Sequence, residues 1–330
     1  DGVASFLNGQ VYDSITHGLA TIVVTGKKSG DVYSTNIGTS NAEALLGSDE
    51  SVGDIFGSGK GDCDYFDDIW AGRTANTSVT VTGSPRIFGG IFGGGEQSGV
   101  GYYNTIKPDG VDGGKFYEKT GAIAVTVGRK NQNDDPVIGT VDEFTISAEH
   151  SKWTLYDTIN DVVTLLHTCT GNVMGGSQGD VKTNKSNWVT MARARTTYVN
   201  VHGGTIMGCV HGGAEHGTVL EDTHVNVTGG TIGAERTSLI VNTTTSGGTY
   251  HFGSVYGGGF GSKELKPHTN DSSMIAVDLA GRTYGNTYVN VSGGHVYDNI
   301  YGGGDLASVG RAQKVYTNEV LTSLVARPRS

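Results

Sequence analysis

Apolar and polar side chains alternate strictly in several short stretches of this chain. In the clearest one, at 287–292, threonine and valine take every second position, with tyrosine, asparagine and serine between them. Successive side chains of a β-strand point to opposite faces, so this period of two predicts a strand with one apolar face. The same alternation predicts related strands around Val81, Val125 with Val127, Val201, and Val225 with Val227.

A second pattern places a β-branched residue, then an aromatic or similar residue, directly before glycine. Counted at the aromatic position, its copies are 36, 82, 37, 45 and 45 residues apart. Because 82 is about twice 41, we expect one more copy near the middle of the chain, hidden by an insertion. The copies begin at Ile55, Ile91, Val173, Val210, Val255 and Ile300.

The two patterns define a repeat that is too small to bury its own valines, whereas stacking each copy on the next covers them. In the last copy, we expect the glycines at 293–294 to turn the chain and residues 295–301 to form a second strand. The glycines at 302–304 are then expected to turn the chain again, because glycine adopts positive φ without strain. The sequence therefore predicts an all-β fold, a right-handed parallel β-helix. A tandem array of β-sandwiches is the alternative, although each sandwich needs roughly 100 residues.

We treat residues 1–330 as a single elongated domain whose repeat is interrupted by loops. The helical spacing of Leu155, Ile159, Val162 and Leu166 predicts a short amphipathic helix over 154–167, and a smaller one is expected at 41–46, ended by Gly47. Insertions in solenoids emerge as loops on particular faces and often carry recognition. They are predicted at 97–122, 129–170, 180–196 and 262–286.

Composition narrows the class of protein. The chain has 54 glycines and 5 prolines without glycine at every third position, which excludes collagen. Its net charge of −10 argues against nucleic acid and against an anionic membrane as partners, and no apolar run is long enough for direct membrane insertion. Because the chain opens on Asp1, we expect a processed or partial piece of a longer protein. The three cysteines are expected to be buried as small hydrophobic residues; a single disulfide is the alternative.

The stretch TYVNVSGGHVYDNIYGGGDLASVG at 287–310 resembles the glycine-rich repeats of very large secreted surface proteins of Gram-negative gut anaerobes. It is more loosely similar to the β-helical passenger regions of autotransporter adhesins. The clear match covers 197–310. The resemblance implies an extracellular, cell-surface protein with an adhesive or scaffolding role, and it supplies no catalytic residues.

Two groups of residues suggest a metal. Asp62, Asp64, Asp67 and Asp68 have the density of a calcium site, although Phe66 stands where an EF-hand loop needs an oxygen ligand; a solvated turn is the alternative. His202, His211, His216 and His224 lie within 23 residues, as zinc ligands do. However, His211 stands where other copies have Tyr256 and Tyr301, which favours a repeat position. We therefore expect no cofactor, with calcium as the one candidate.

A polysaccharide lyase or glycoside hydrolase is the alternative function, because parallel β-helices host such enzymes. These need paired carboxylates, or a carboxylate-bound calcium with a nearby Arg or Lys, on one face. The candidates are Asp134, Asp135, Asp142 and Glu143, with Arg129 and Lys130 close in sequence. All lie in an irregular insertion, where an ordinary charged loop is much the stronger explanation.

The outward face of the repeat carries the candidate binding residues. An aromatic residue two positions before an asparagine recurs at matching sites, so stacking would build a ladder of rings and amides. Such a ladder suits sugar binding or sideways packing against another chain; asparagines that only pair with one another are the alternative. Expected partners are therefore carbohydrate or a host surface, neighbouring repeats, or further copies in a filament. The residues are Tyr198, Asn200, His224, Asn226, Tyr288 and Asn290.

Overall fold

A computed structural model of the chain describes residues 18–38, 53–61, 72–102, 120–145, 165–169, 171–179, 192–237, 249–261, 280–310, 312–317 and 320–326. Across these ranges the protein is all-β, and its parallel strands form curled sheets. The predicted all-β class is confirmed. These ranges contain no helix, and therefore none of the length and apolarity that a bilayer crossing requires.

Ten strands form the largest sheet, which we call the long sheet, with strands numbered in chain order. Each long strand in it pairs in parallel with the equivalent strand of the next copy. Its members are β1 (Leu19–Gly26), β4 (Asn36–Ile37), β6 (Asn76–Gly83), β7 (Arg86–Ile87), β9 (Ala122–Val127), β10 (Val137–Ile138), β15 (Thr196–Val201), β16 (Thr205–Ile206), β19 (Thr223–Ile232) and β23 (Thr287–Val296).

Six two-residue strands form a second parallel sheet, which we call the short sheet. They are β5 (Ile55–Phe56), β8 (Ile91–Phe92), β13 (Val173–Met174), β17 (Val210–His211), β22 (Val255–Tyr256) and β24 (Ile300–Tyr301). A third line of parallel pairing joins β14 (Arg193–Ala194) to β18 (Thr218–Val219), and bridges continue it from Val219 to Thr283 and from Thr283 to Val309.

Four antiparallel hairpins complete the described strands. They are β2 (Lys28–Ser29) with β3 (Val32–Tyr33), β11 (Val141–Thr145) with β12 (Leu165–Cys169), β20 (Ala234–Thr237) with β21 (Thr249–Phe252), and β25 (Ala312–Thr317) with β26 (Val320–Ala326). The predicted helix over 154–167 is wrong at its end, because residues from Leu165 onward pair with β11 as a strand. Its remainder and the helix expected at 41–46 lie outside the described residues.

The short sheet divides the chain into six repeats. Repeat I contains β1, β4 and β5; repeat II contains β6, β7 and β8; and repeat III contains β9, β10 and β13. Repeat IV contains β15, β16 and β17; repeat V contains β19 and β22; and repeat VI contains β23 and β24. Each repeat thus contributes to the long sheet first and to the short sheet next.

The prediction of a hidden copy of the glycine motif is wrong, as the pairing of the short-sheet strands shows. Ile91 of β8 pairs directly with Val173 of β13, so no copy stands between them in the short sheet. The step of 82 residues is one repeat, lengthened because residues 103–119 and the segment containing the β11–β12 hairpin are inserted into it. Parts of the predicted insertions also belong to the repeat, since Val100 bridges Thr74 and β10 pairs with β7 and β16.

The apolar face of each inner long strand is buried against the β-branched residues of the short sheet, whereas the edge strands β1 and β23 bury theirs only in part. Val199 pairs with Val225, and Val201 pairs with Val227, so identical side chains stack in columns. Val201 and Val227 are fully buried, and Val291 of β23 packs against the same core from its edge. The predicted valine columns are confirmed, and burial of this kind contributes about 25 cal/mol per Å² of apolar surface.

The glycine after each short-sheet strand is required by space. A Cβ on Gly57, Gly175, Gly212 or Gly257 would overlap the carbonyl oxygen of the equivalent glycine in the next repeat. Gly302, the sixth member, meets nothing within 4 Å. The expected reason, positive φ, is wrong at 302–304, because none of these three glycines has a positive φ. It holds at Gly294, which has φ 89° inside the irregular strand β23.

A threonine at the start of the long strand ties the two sheets together. Its hydroxyl donates to the carbonyl oxygen of the first glycine after the short-sheet strand of the same repeat, at 2.5–2.7 Å. In the inner repeats this bond satisfies a buried glycine carbonyl. The pairs are Thr77 with Gly93, Thr197 with Gly212, Thr223 with Gly257, and Thr287 with Gly302.

The connection from the long sheet to the short sheet alternates in length. In repeats II, IV and VI it is three residues, at 88–90, 207–209 and 297–299. In repeats I, III and V it is an insertion, which runs between Gly38 and Gly53 in repeat I. The insertion holds the β11–β12 hairpin in repeat III and the β20–β21 hairpin in repeat V. Inserted and plain repeats therefore follow one another in turn.

Substitution of Gly212 by alanine tests the spatial requirement. We expect Gly212→Ala to lower the free energy of unfolding by about 1–3 kcal/mol, because the new methyl overlaps the Gly257 oxygen and the backbone must shift. Gly302→Ala is the matched control, at an equivalent position with open space, and should change it by less than about 0.5 kcal/mol. Urea unfolding at low protein concentration measures both. Equal losses in the two variants would contradict the explanation.

Candidate functional site

The six predicted binding residues share one outward face of the long sheet. Parallel pairing places Tyr198 beside His224 and His224 beside Tyr288, because β15, β19 and β23 are in register. The same register aligns Asn200, Asn226 and Asn290 two positions further along the strands. The valines between them point to the core. The predicted juxtaposition of rings and amides is therefore present in the structure.

The three rings form a continuous stack. The centroids of Tyr198 and His224 are 4.7 Å apart with an interplanar angle of 6°, and those of His224 and Tyr288 are 4.7 Å apart at 7°. This separation equals the spacing between strands, roughly 4.7–4.9 Å, so the backbone sets the ring spacing. Tyr198 is 43% exposed and Tyr288 is 49% exposed. Ala124 precedes Tyr198 in the same column, so the stack begins at repeat IV.

Polar side chains line the next two columns on this face. The Nδ2 of Asn290 donates to Oδ1 of Asn226 at 2.8 Å, which orients both amides along the stack. One column further, Nδ1 of His202 lies 2.7 Å from the Thr228 hydroxyl. The face thus presents aromatic edges beside aligned amide donors and acceptors.

The short sheet carries a second column of large side chains, which is buried at Phe92, Met174 and His211 and 43% exposed at its last member, Tyr301. It runs through Phe56, Phe92, Met174, His211, Tyr256 and Tyr301. The stacked pairs in it include His211 with Tyr256, 4.6 Å apart at 8°, and Phe56 with Phe92, 5.1 Å apart at 13°. His211 is 1% exposed. Burial holds its pKa at about 3, below the ordinary 6.5, so the ring is neutral near pH 7.

The four clustered histidines are not brought together as zinc ligands. His224 lies on the outward face of the long sheet, whereas His211 is buried in the short sheet and His216 contacts Phe260 edge-on. Nowhere in the described part of the chain do three or more His, Cys, Asp or Glu side chains converge as metal ligands. The calcium candidates Asp62, Asp64, Asp67 and Asp68 lie outside the described residues, so that expectation stays a prediction.

Asp134, the first carboxylate of the alternative enzyme site, is held by Arg129. The backbone N and Nε of Arg129 donate to Oδ2 at 2.9 and 2.8 Å, and Nη2 donates to Oδ1 at 2.8 Å. These bonds lower the pKa of Asp134, outweighing the effect of its burial. The backbone N of Asp135 donates to the Gly83 carbonyl, and Asp142 and Glu143 belong to β11. Asp134 therefore closes a loop, a role distinct from general acid catalysis.

A polar ladder beside the short sheet was not predicted. The side chain of each member accepts a hydrogen bond from the backbone N–H of the equivalent residue in the next repeat. The bonds run from Gly90 to Asp54 Oδ1, from Cys209 to Asn172 Oδ1, from Ser254 to Cys209 Sγ, and from Asn299 to Ser254 Oγ, at 2.5, 2.8, 3.4 and 3.3 Å. The sequence contains a signal for this polar ladder, because each member stands directly before the β-branched residue of the repeat.

Cys209 belongs to this ladder and is a free thiol. Burial raises its pKa, so the thiol stays protonated while it accepts the Ser254 N–H. It is partly exposed, which differs from the expected fully buried position, because the outer side of the short sheet is polar here. Cys63 and the side chain of Cys169 lie outside what the structure describes.

Comparison with known proteins gives no relative. No protein-family model matches the chain, and no curated protein or solved structure is significantly similar to it.

Removal of one ladder member should destabilise the stack. We expect Asn172→Ala to cost about 1–3 kcal/mol of unfolding free energy, because it leaves the Cys209 N–H without its acceptor. Ser254→Ala should behave in the same way at Asn299. The matched control is Thr80→Ala on the outward face, and urea unfolding measures all three. A loss in the control as large as that in Asn172→Ala would contradict this role.

Acid should unfold the protein partly through His211. Its folded pKa of about 3 lies below the ordinary 6.5, so its contribution to stability is complete above pH 6.5 and is lost as pH falls toward 3. The loss is at most about 1.4 kcal/mol per pH unit. We expect His211→Phe, which copies Phe92 in the same column, to flatten this dependence. Urea midpoints measured from pH 4 to 7 test this expectation.

The titration of Glu215 changes the stability with pH in the opposite direction, so its effect must be separated from that of His211. Burial, and next the charge of Asp54, raise its pKa to about 7 from 4.5, so its contribution favours the folded state at low pH and fades as pH rises from 4.5 to 7. Both proteins contain Glu215, so the difference between wild type and His211→Phe cancels its effect. Parallel pH profiles for the two proteins would contradict the assignment to His211.

Proposed function

We propose that the chain is a structural and adhesive segment of an extracellular surface protein and that its outward ladder binds carbohydrate. The observation that carries this proposal is the stack of Tyr198, His224 and Tyr288 on an exposed face. Stacking of these rings stabilises the sheet, and the exposed parts of Tyr198 and Tyr288, 43% and 49%, are left for a ligand that also has hydroxyls for the amides.

We further propose that the repeats wind as a right-handed parallel β-helix. Three lines of parallel pairing support it, because in each repeat the chain passes through the long sheet, the short sheet and the third line in that order before it returns to the long sheet. Buried valine columns and a glycine column that permits close approach are the features such a solenoid requires. The resemblance of 197–310 to glycine-rich bacterial surface repeats supports the extracellular location.

The ladder has the dimensions of a short glycan site. Three rings at 4.7 Å intervals span two strand spacings, and the asparagine column lies beside them on the same strands. A sugar placed across the ring edges would contact the amides at its hydroxyls. Neutral side chains dominate these columns, so the proposed ligand is an uncharged oligosaccharide.

The polysaccharide-active enzyme is the weaker alternative. It requires carboxylates that face substrate, and Asp134 is engaged by three hydrogen bonds from Arg129. No observation in the described residues favours catalysis over binding.

Binding to a panel of neutral and acidic oligosaccharides tests the proposal. We expect wild type to bind a neutral member and Tyr198→Ala and Tyr288→Ala each to weaken it roughly 3- to 10-fold, since one aromatic contact contributes about 0.5–1.5 kcal/mol. Thr80→Ala, on the same face where the stack is absent, is the matched control. Isothermal titration calorimetry measures the affinities. Binding that the tyrosine variants leave unchanged would refute the ladder as the site.

The same panel separates binding from catalysis. After incubation, the surface-segment proposal expects oligosaccharides of unchanged length. New reducing ends or unsaturated products would establish the enzyme instead.

A further inference from the structure

We infer that Arg282 binds a single oxyanion group, which is a sulfate, a phosphate or the carboxylate of an acidic sugar. Arg282 belongs to the third line of parallel pairing and is only 4% exposed. Its Nε is buried without a hydrogen-bond partner, and no ion pair within the described residues includes it. A guanidinium buried in this way is costly unless an anion or a hydrogen-bond acceptor pairs with it.

Arg282 lies on the outer side of the third line. Its neighbour Thr283 takes the position that Val100 and Ala194 occupy in other repeats, and both of these belong to the hydrophobic core. Because side chains alternate along an extended chain, Arg282 and Tyr284 point away from the core. The Cζ of Arg282 lies over the Tyr284 ring, 5.7 Å from its centroid, which is a cation–π distance.

Arg73 is the equivalent arginine of repeat I, and its backbone surroundings match those of Arg282. In both places the residue after the arginine accepts a hydrogen bond from a glycine N–H of the next repeat. These bonds run from Gly101 to Thr74 and from Gly310 to Thr283, at 2.7 and 2.8 Å. The two guanidinium groups can therefore be compared directly.

The two arginines differ in what their side chains contact. Nη1 of Arg73 donates to the Gly101 carbonyl oxygen at 3.0 Å, whereas Arg282 makes no corresponding bond within the part of the chain that is described. Two positions further along the chain stands Ala75 in repeat I and Tyr284 in repeat V. The Tyr284 ring lies against the guanidinium of Arg282. A cation–π contact leaves the N–H groups in the guanidinium plane available to a ligand.

The chemistry of the ligand follows from these N–H groups. The planar fork of a guanidinium matches two oxygens of a carboxylate, a sulfate or a phosphate, and such charge-assisted bonds are short and strong. Parallel pairing places Thr218 and Ser308 on either side of Arg282, so residues with hydroxyl groups flank the fork. An arginine so nearly buried admits one small charged group. The ligand is therefore a terminal oxyanion, either a free ion or part of an acidic sugar.

This site is separate from the outward ladder of the long sheet. It takes a charged ligand on the third line, whereas the proposed ligand of the ladder is uncharged. Tyr198→Ala should therefore leave oxyanion binding at Arg282 unchanged, and either site can fail its test without the other.

Urea unfolding at constant ionic strength tests the site, with inorganic sulfate and phosphate replacing chloride. Wild type should be stabilised by an equal increment for each tenfold rise in ion concentration above the dissociation constant. Arg282→Met should show only the general stabilisation that these ions give to any protein. In chloride it should be at least as stable as wild type, because it lacks the buried charge.

Arg73→Met is the matched control in the same line of pairing. It should lower the urea midpoint in every buffer, because it loses the bond to the Gly101 carbonyl, and it should keep the response to sulfate and phosphate. Arg282→Lys keeps the charge without the fork and should respond several-fold more weakly than wild type. Equal ion responses in wild type and Arg282→Met would overturn the inference. A loss of stability in chloride as large as that of Arg73→Met would do so too, because Arg282 would then be structural.

Isothermal titration calorimetry distinguishes the two sources of the oxyanion. Glucuronate and a sulfated glucose are compared with glucose, and the charged sugars should bind wild type roughly tenfold more tightly or better, since hydrogen bonds to charged groups are the strong ones. Arg282→Met should remove this difference. Binding of inorganic ions alone assigns the site to free oxyanions, and binding of the charged sugars assigns it to acidic glycans. Wild type that binds none of these probes would overturn the inference.

Discussion

The structure depends on one distance, the separation of two parallel backbones at the glycine that follows each short-sheet strand. There, the Cα of one repeat lies against the carbonyl of the next, so close that a methyl group does not fit. Backbone hydrogen bonds set the height of a repeat at the strand spacing, roughly 4.7–4.9 Å, and glycine permits that spacing at this position. The valine columns, the threonine ties and both ring stacks are arranged at that height and follow from it.

A repeat held at this height also determines what the outer surface can do. Side chains on the two outer faces stack on their equivalents, so a single aromatic residue per repeat becomes a column. Tyr198, His224 and Tyr288 form such a column in the open, whereas His211, which is buried, and Tyr256, which is partly buried, stack in another column on the short sheet. Stacking therefore contributes stability on the short sheet and an accessible surface on the long sheet.

Much of this could be predicted from the sequence, because the signals are local and repeated. Alternation at 287–292 gives the strand and its faces, and the spacing of the glycine motif gives the order of the short sheet. The six ladder residues were placed on one face because parallel stacking carries a period of two from strand to strand. Leu165 shows the limit of this approach, because it lies in a strand where the apolar spacing predicted a helix. A short apolar run fits the helical period and the strand period equally well.

Features that depend on the neighbouring repeat were harder to derive. The sequence alone suggests that glycine serves to turn the chain. The contact that requires glycine is made with the next repeat, up to 82 residues away along the chain. Asn172 and Cys209 are marked in the sequence only by their place before the β-branched residue, and the hydrogen bonds that they accept become apparent once their backbone neighbours are known. The long step between Ile91 and Val173 suggested a hidden copy because insertion length and repeat length cannot be separated by counting.

The alternation of plain and inserted connections has a consequence for how such a chain can grow. A hairpin such as β11–β12 is about 10 Å wide when its two strands lie side by side along the stack. When its face is turned toward the neighbouring repeat, it needs the packing distance between two sheets, which is also about 10 Å. One repeat offers only half that height, so insertions at the same corner of adjacent repeats would collide. The unit of duplication that preserves this architecture is thus a pair of repeats, only one of which has an insertion between the long sheet and the short sheet.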